Sequence, residues 1–149
     1  MPLVALVGPF AGLLVAGLDK RFGWSPEIPL GIQIAALALV ILGYLLSIWA
    51  MVVNRFFSAV VRIQTERGHT VITTGPYSYV RHPGYDGGIV CNLAGAIALS
   101  SLWALIPGAL VVLLTVVRTA LEDRTLQEEL VGYKEYAKRV RYRLLPGIW

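Results

Sequence analysis

One cysteine, Cys91, and two histidines, His69 and His82, are all that 149 residues offer in the way of soft or imidazole ligands. A disulfide scaffold needs paired cysteines and a thiolate zinc site needs several, so both are excluded. No metal centre is expected from so sparse a set. Charge is scarce as well: 15% of the residues are charged, where an ordinary globular domain carries about 25%. Disordered chains combine low hydrophobicity with high net charge, so that class is excluded too. What the sequence has instead is hydrophobic residues, 56% of the total, and a mean hydropathy of +0.67. These values point to an integral membrane protein. The net charge of +4 suits anionic lipid headgroups as well as it suits nucleic acid, and composition alone does not separate the two.

Crossing a bilayer takes roughly 20 apolar residues of helix. Four stretches come near this, at 3–18, 28–53, 86–99 and 102–117. The first holds Pro9 and three glycines and has no Lys or Arg ahead of it. It is therefore expected to be a short span and not a signal peptide. The second is the clearest, with Tyr44 and Trp49 suited to an interface. The last two form one apolar run divided by Ser100 and Ser101. That run is too long for one span and reads as a tight hairpin, with Gly87, Gly88, Ala94, Gly95, Ala96 and Ala98 letting its helices approach closely. All basic residues except Lys20 and Arg21 fall in 54–85 or 118–149. The positive-inside rule places both segments, and both termini, on the cytoplasmic side. In a bacterium the protein would sit in the inner membrane.

The expected architecture is thus one all-α integral membrane domain of about four transmembrane helices, ending in a helical hairpin. An irregular cytoplasmic loop and a basic amphipathic C-terminal helix complete it. Within the loop, Val61, Ile63 and Thr65 alternate with Arg62, Gln64 and Glu66, a strand-like period that predicts a short hairpin turning at Arg67-Gly68-His69. The Gly- and Pro-rich run from Gly75 to Tyr85 excludes a regular helix and makes a rigid, aromatic-rich ligand-holding loop. In the tail, Leu126, Leu130, Tyr133, Ala137, Val140 and Leu144 form one apolar stripe, with Gly132 a possible break and Pro146 the end. Such a helix is expected to lie on the inner membrane surface. Arg118 and Glu122, four apart, share a face at the mouth of the last span.

Gly75-Pro76-Tyr77, Arg81-His82-Pro83-Gly84-Tyr85 and Arg118-Thr119-Ala120-Leu121-Glu122-Asp123, followed by Leu126, Tyr136 and Pro146, resemble the isoprenylcysteine carboxyl methyltransferase family, whose wider group includes phospholipid N-methyltransferases. The resemblance runs over roughly residues 50 to 149. It implies an integral membrane methyltransferase that uses S-adenosylmethionine and takes a lipid-like or hydrophobic acceptor sideways from the bilayer. It also implies that no Rossmann domain is used, and the sequence agrees, with no Gly-x-Gly-x-x-Gly after a strand. Carried over residue by residue, it gives cofactor binding to Tyr77, Tyr79, Arg81, His82, Pro83, Tyr85, Gly87, Glu122 and Asp123, and catalytic roles to Arg118 and Glu122. One position departs from the pattern: the second of two adjacent glutamates is here Asp123.

Methyl transfer from a sulfonium is an in-line displacement, so the gain comes mainly from orientation. Tyrosine faces suit the sulfonium and adenine. Glu122 or Asp123 suits ribose hydroxyls or an ammonium, and His82 and Arg81 suit a carboxylate. Arg118 suits an acceptor carboxylate, which needs no base. An amine acceptor needs one, with Glu122 or His82 the candidates. Plainer readings of the same residues are a turn cap for His82, a topology signal for Arg81, an interfacial ion pair for Arg118 and Glu122, and an aromatic belt for the tyrosines. His69 reads as a turn residue and Cys91 as packing. The alternatives to a methyltransferase are an NADPH-dependent membrane reductase of sterol-reductase type and a non-catalytic membrane protein. The bilayer is the expected partner. Nucleic acid is not, because the basic residues follow the membrane boundaries.

Overall fold

The computed structural model of the protein describes residues 2–58 and 62–149, and side chains from residue 7 onward within them. The described residues form the helices α1 (Pro2–Phe22), α2 (Leu30–Val53), α3 (Pro83–Ala98), α4 (Leu105–Glu129) and α5 (Tyr133–Arg139), with 3-10 turns at Thr65–Arg67 and Gly75–Ser78.

Two of these helices, α2 and α4, are long and apolar enough to cross a membrane. On α2 the buried residues are Ala36, Gly43 and Ala50, spaced two helical turns apart. Leu30, Ile34, Leu42 and Leu45 are each more than half exposed. A helix that presents leucine and isoleucine on its free sides needs hydrocarbon there, since water would oppose it.

α2 and α3 approach each other closely. A Cβ on Gly43 would fall 2.8 Å from the Gly87 carbonyl oxygen and 2.9 Å from Cys91 Sγ. A Cβ on Gly87 would collide with the Gly43 carbonyl oxygen and with Ser47 Oγ. The expectation that the small residues of α3 face its hairpin partner is therefore corrected. α3 packs most extensively on α2, and Ala96 joins Ala16 of α1 and Ala104 in a buried cluster. Gly88 and Gly95 meet no neighbouring atoms within 4 Å. The connection 99–104 is longer than the expected two-residue turn. Ser100 within it lies in the left-handed region, at φ +55°.

That connection is locked by buried Asp19 at the end of α1. Asp19 accepts hydrogen bonds from Ser25 N (2.7 Å), Ser25 Oγ (2.6 Å) and Ser101 Oγ. Ser25 Oγ in turn accepts from Leu102 N at 2.9 Å, and Ser100 Oγ from Ile28 N at 3.2 Å. Trp24 packs edge-on against Trp103 with ring centroids 6.1 Å apart. The α1–α2 loop and the α3–α4 turn thus close one end of the fold together.

Three further expectations change. The strand-like alternation does not make a hairpin: Val61 lies outside the described residues, and 62–74 carries a 3-10 turn and no strand. Its order comes from buried Gln64, which donates to the Phe56 carbonyl at 2.7 Å and accepts from Arg67 at 2.7 Å. The turn at Gly68, φ +60°, is where it was expected. Next, α4 does not stop at residue 117 but continues without interruption to Glu129, so Arg118, Glu122 and Asp123 extend the same helix. Last, the basic C-terminal helix is short. Gly132, at φ +84°, reverses the chain, and α5 ends at Arg139, well before Pro146. The apolar stripe of the tail is not offered to a membrane. Leu130, Tyr133 and Tyr136 are buried, with Ile63, Val71, Leu126, Ala137 and Val140 packed against them.

The α2–α3 contact can be tested with two neighbouring glycines. Gly87→Ala is expected to destabilise the protein by about 1–3 kcal/mol, the usual cost of overpacking a tight contact. Gly88→Ala, in open space on the same helix, is expected to be neutral or mildly stabilising. Thermal unfolding in detergent compares them, and equal midpoints would refute the close approach.

Candidate functional site

At the end of the fold away from the Ser100–Ser101 turn, three parts of the chain converge: the connector after α2, the C-terminal half of α4, and α5 with the tail beyond it. α3 can begin abruptly at Pro83 because proline at the first helical position loses no needed N–H and fixes φ. The two residues before it are held by the tail, as Arg81 N donates to the Tyr142 carbonyl at 3.0 Å and His82 N to the Arg143 carbonyl at 2.9 Å.

The resulting cleft is lined by Asn54, Phe56 and Phe57 after α2, and by Tyr77, Arg81 and His82 before α3. Tyr85 on α3, Glu122, Thr125 and Leu126 on α4, and Tyr133 on α5 complete its sides, with Arg62, His69 and Val71 at the connector.

At the cleft a hydrogen-bonded triad, two of its members lining it, joins the two helices of the hairpin. Tyr85 donates its hydroxyl to Glu122 Oε2 at 2.6 Å while accepting from Arg118 Nε at 2.7 Å. Arg118 Nε also lies 3.8 Å from Glu122 Oε2, and its guanidinium stands 5.5 Å from the Tyr85 ring centroid. On the other side, His82 stacks on Tyr85 with centroids 5.7 Å apart. Charge-assisted bonds of this kind are about twice as strong as neutral ones, so the Tyr85 ring is fixed in place.

Behind this triad sits Asp123, fully buried. It pairs with Arg143 Nε at 2.9 Å and Arg81 Nε at 3.2 Å, and lies 3.6 Å from His82 Nε2. It also accepts from Gln127 Nε2 at 2.8 Å and from the Tyr133 hydroxyl at 3.1 Å. Two further tyrosines tie α5 and the connector to this centre. Tyr136 donates to the Tyr77 carbonyl at 2.7 Å, and the Tyr77 hydroxyl accepts from Asn54 Nδ2 at 3.2 Å. Burial pushes the phenols of Tyr77, Tyr133 and Tyr136 above their ordinary value, so all three stay protonated. Burial, with the Arg67 charge second, pushes the His69 imidazole down. The neutral ring accepts from Gln64 N at 3.3 Å and packs on Phe56.

Tyr77, Arg81, His82, Tyr85 and Glu122 therefore share one cleft, and Arg118 touches it through Tyr85. Pro83 is buried under it as the first residue of α3. Asp123 lies behind the wall. Tyr79 is 71% exposed and outside the lining, and Gly87 is pressed against α2. Sequence reasoning passed over Asn54, Phe56, Phe57, Thr125, Tyr133 and Arg143, and set His69 aside. Asn54 had a readable signal as the first polar residue after the second apolar run. Arg143 had none, since one cation among many in a tail carries no mark. Asp86 was also passed over: it is buried on α3 with its Oδ1 lacking a hydrogen-bond partner.

Comparison with known proteins gives a match to the model of the isoprenylcysteine carboxyl methyltransferase family over residues 36–129. The chain is 29% identical over 107 residues to protein-S-isoprenylcysteine O-methyltransferase B of Arabidopsis thaliana, covering 70% of this chain and 54% of that protein. It is 36% identical over 84 residues to the cobalt-zinc-cadmium resistance protein CzcN of Cupriavidus metallidurans, covering 52% of this chain and 36% of that protein. It is 33% identical over 91 residues to a delta(14)-sterol reductase of Mus musculus, covering 58% of this chain and 22% of that protein. The chain thus spans about half or less of the length of these relatives.

Asp123→Asn is expected to cost about 3–5 kcal/mol, because it leaves buried cations without their counter-charge. Tyr133→Phe, which removes one hydrogen bond, is expected to cost about 1 kcal/mol. Thermal unfolding and limited proteolysis of the tail check both. Equal stability of the Asn variant and the parent would refute the central role of this carboxylate.

Proposed function

Because the chain belongs to the isoprenylcysteine carboxyl methyltransferase family, we propose that it is a membrane-embedded methyltransferase that uses S-adenosylmethionine and methylates a lipid-like or hydrophobic acceptor. The observation that carries this reading is the Arg118–Tyr85–Glu122 triad in an aromatic cleft at the hairpin mouth. The lining matches what the cofactor would require. Glu122, whose side chain is 21% exposed, offers an acceptor for an ammonium or ribose hydroxyls. Arg81 and His82 offer positive donors for a carboxylate, and Phe56, Phe57, Tyr77 and Tyr85 offer aromatic faces for a base or a sulfonium.

When bound, S-adenosylmethionine would supply an activated methyl group. The chain's own residues do the rest: Tyr85, held from both sides, fixes the spacing between Arg118 and Glu122. Arg118 is suited to orient an acceptor carboxylate, which is already ionised and needs no base. For an amine acceptor, Glu122 is the carboxylate in the lining that could take the proton. We read α1 to α4 as four spans, with the cleft on the cytoplasmic side. In favour are the basic residues gathered at the cleft end, and the aromatic cluster of Phe22, Trp24 and Trp103 at the other. A reductase is the second reading, favoured by the identity to the sterol reductase.

Calorimetry on the purified, folded protein in detergent separates the readings. S-adenosylmethionine is expected to bind saturably, and Glu122→Gln or Tyr85→Phe to weaken it about 10-fold or more, the worth of a charge-assisted hydrogen bond. NADPH binding in its place would select the reductase, and binding of neither would overturn both. Incubation with labelled cofactor and a membrane lipid extract, followed by mass analysis, identifies the acceptor. For topology, a single cysteine at Trp103 in a Cys91→Ser background is expected to react with impermeant maleimide from outside intact cells. One at Arg139 is expected to be protected, and the reverse pattern would invert the orientation.

A further inference from the structure

A second concavity lies on the opposite side of Arg81 from the cleft. It is an open groove lined by Arg81, Lys134, Lys138, Arg141 and Arg143, with Glu135 the one acid and with Gln127 and Ala137 completing it. Arg81 and Arg143 are held by Asp123, and the three other cations are not. Elsewhere in the polar segments Arg62 pairs with Glu66 at 3.1 Å and Arg124 with Glu128 at 2.8 Å. Among the described residues Lys134, Lys138 and Arg141 make no ion pair. Like charges brought together around a concave surface repel one another, and they are relieved when an anion enters.

The packing of α5 narrows what that anion is. Its apolar side is spent on Leu126, Ile63 and Val71, so that side of α5 is not free to insert into a bilayer. Its polar side still stands at the end of two helices suited to span one, α2 and α4. A polar face so placed is at the level of the headgroups. Arg81 forms a common wall: its side chain is 7% exposed, it lines both concavities, and it pairs with Asp123.

We propose that this groove binds the phosphate of an anionic phospholipid headgroup, with Lys134, Lys138 and Arg141 as the outer contacts and Arg81 and Arg143 as the floor. The site does not depend on the methyltransferase reading. Its occupancy is felt at the cleft, because the headgroup draws on the two arginines that hold Asp123.

The full chain in neutral detergent is titrated with dioctanoyl phosphatidylglycerol and, separately, with dioctanoyl phosphatidylcholine. Native mass spectrometry counts retained lipid, and thermal unfolding reports its effect. The parent protein is expected to retain phosphatidylglycerol in preference to phosphatidylcholine. Lys134→Gln/Lys138→Gln/Arg141→Gln is expected to lose that preference, with affinity falling on the order of 100-fold for three charges removed. Should the triple variant not fold, Lys138→Gln alone is expected to weaken retention about 5-fold. Unchanged retention in a folded variant would overturn the proposal, since the lipid would then be held elsewhere. Inorganic phosphate distinguishes the source: no displacement at a large excess supports a headgroup site, and displacement at equal concentration overturns it in favour of a soluble anion.

Discussion

Everything at the working end of this protein depends on one buried carboxylate. Asp123 cannot be fully buried as an ion unless its charge and lone pairs are met. Meeting them takes Arg81 and His82 from the loop before α3, Arg143 from the tail, Tyr133 from α5 and Gln127 from α4. Four separate pieces of chain are thereby drawn to one point. The cleft is the space left on one side of them, and the basic groove is the space left on the other.

The two faces of α4 divide the work between adjacent residues. Glu122 points into the cleft, where it remains partly accessible and engages Tyr85. Asp123, one residue on and about 100° round the helix, faces the buried cluster. The aspartate that departs from the family's paired glutamates thus sits in a framework position. A shorter acid suits it, because its partners are brought up to it by the tail and do not have to be reached.

Much of this was readable beforehand, and the exceptions share a cause. The long apolar helix α2, the break at Ser100–Ser101, the turn at Gly68 and the reversal at Gly132 all follow from local composition, and local composition decided them. The pairing of Arg118 with Glu122 on one helix face follows from their spacing of four, and their meeting with Tyr85 does not. Hidden from sequence were features that depend on which neighbour a residue finds. The small residues of α3 could have served any adjoining helix; Gly87 went to α2, Ala96 to Ala16 of α1 and Ala104, and Gly88 and Gly95 to none. The alternation around Ile63 and Thr65 looked like a strand because a period of two is all that sequence reports. Gln64 satisfied the backbone by another route. The apolar stripe of the tail was read correctly as a stripe, but its partner is the protein and not the membrane.

The continuous run of α4 from Leu105 to Glu129 has a mechanical consequence. Its first turn follows the Ser101 lock on Asp19, and its last turns carry the Asp123 cluster, so it behaves as a beam clamped at both supports. A beam held this way resists bending and transmits displacement along its length. The wall it carries, with Glu122, Thr125 and Leu126, is therefore the stationary side of the cleft. Among the described residues the facing side is made by 54–58 and 62–74, which hold their shape through a 3-10 turn and side-chain bonds.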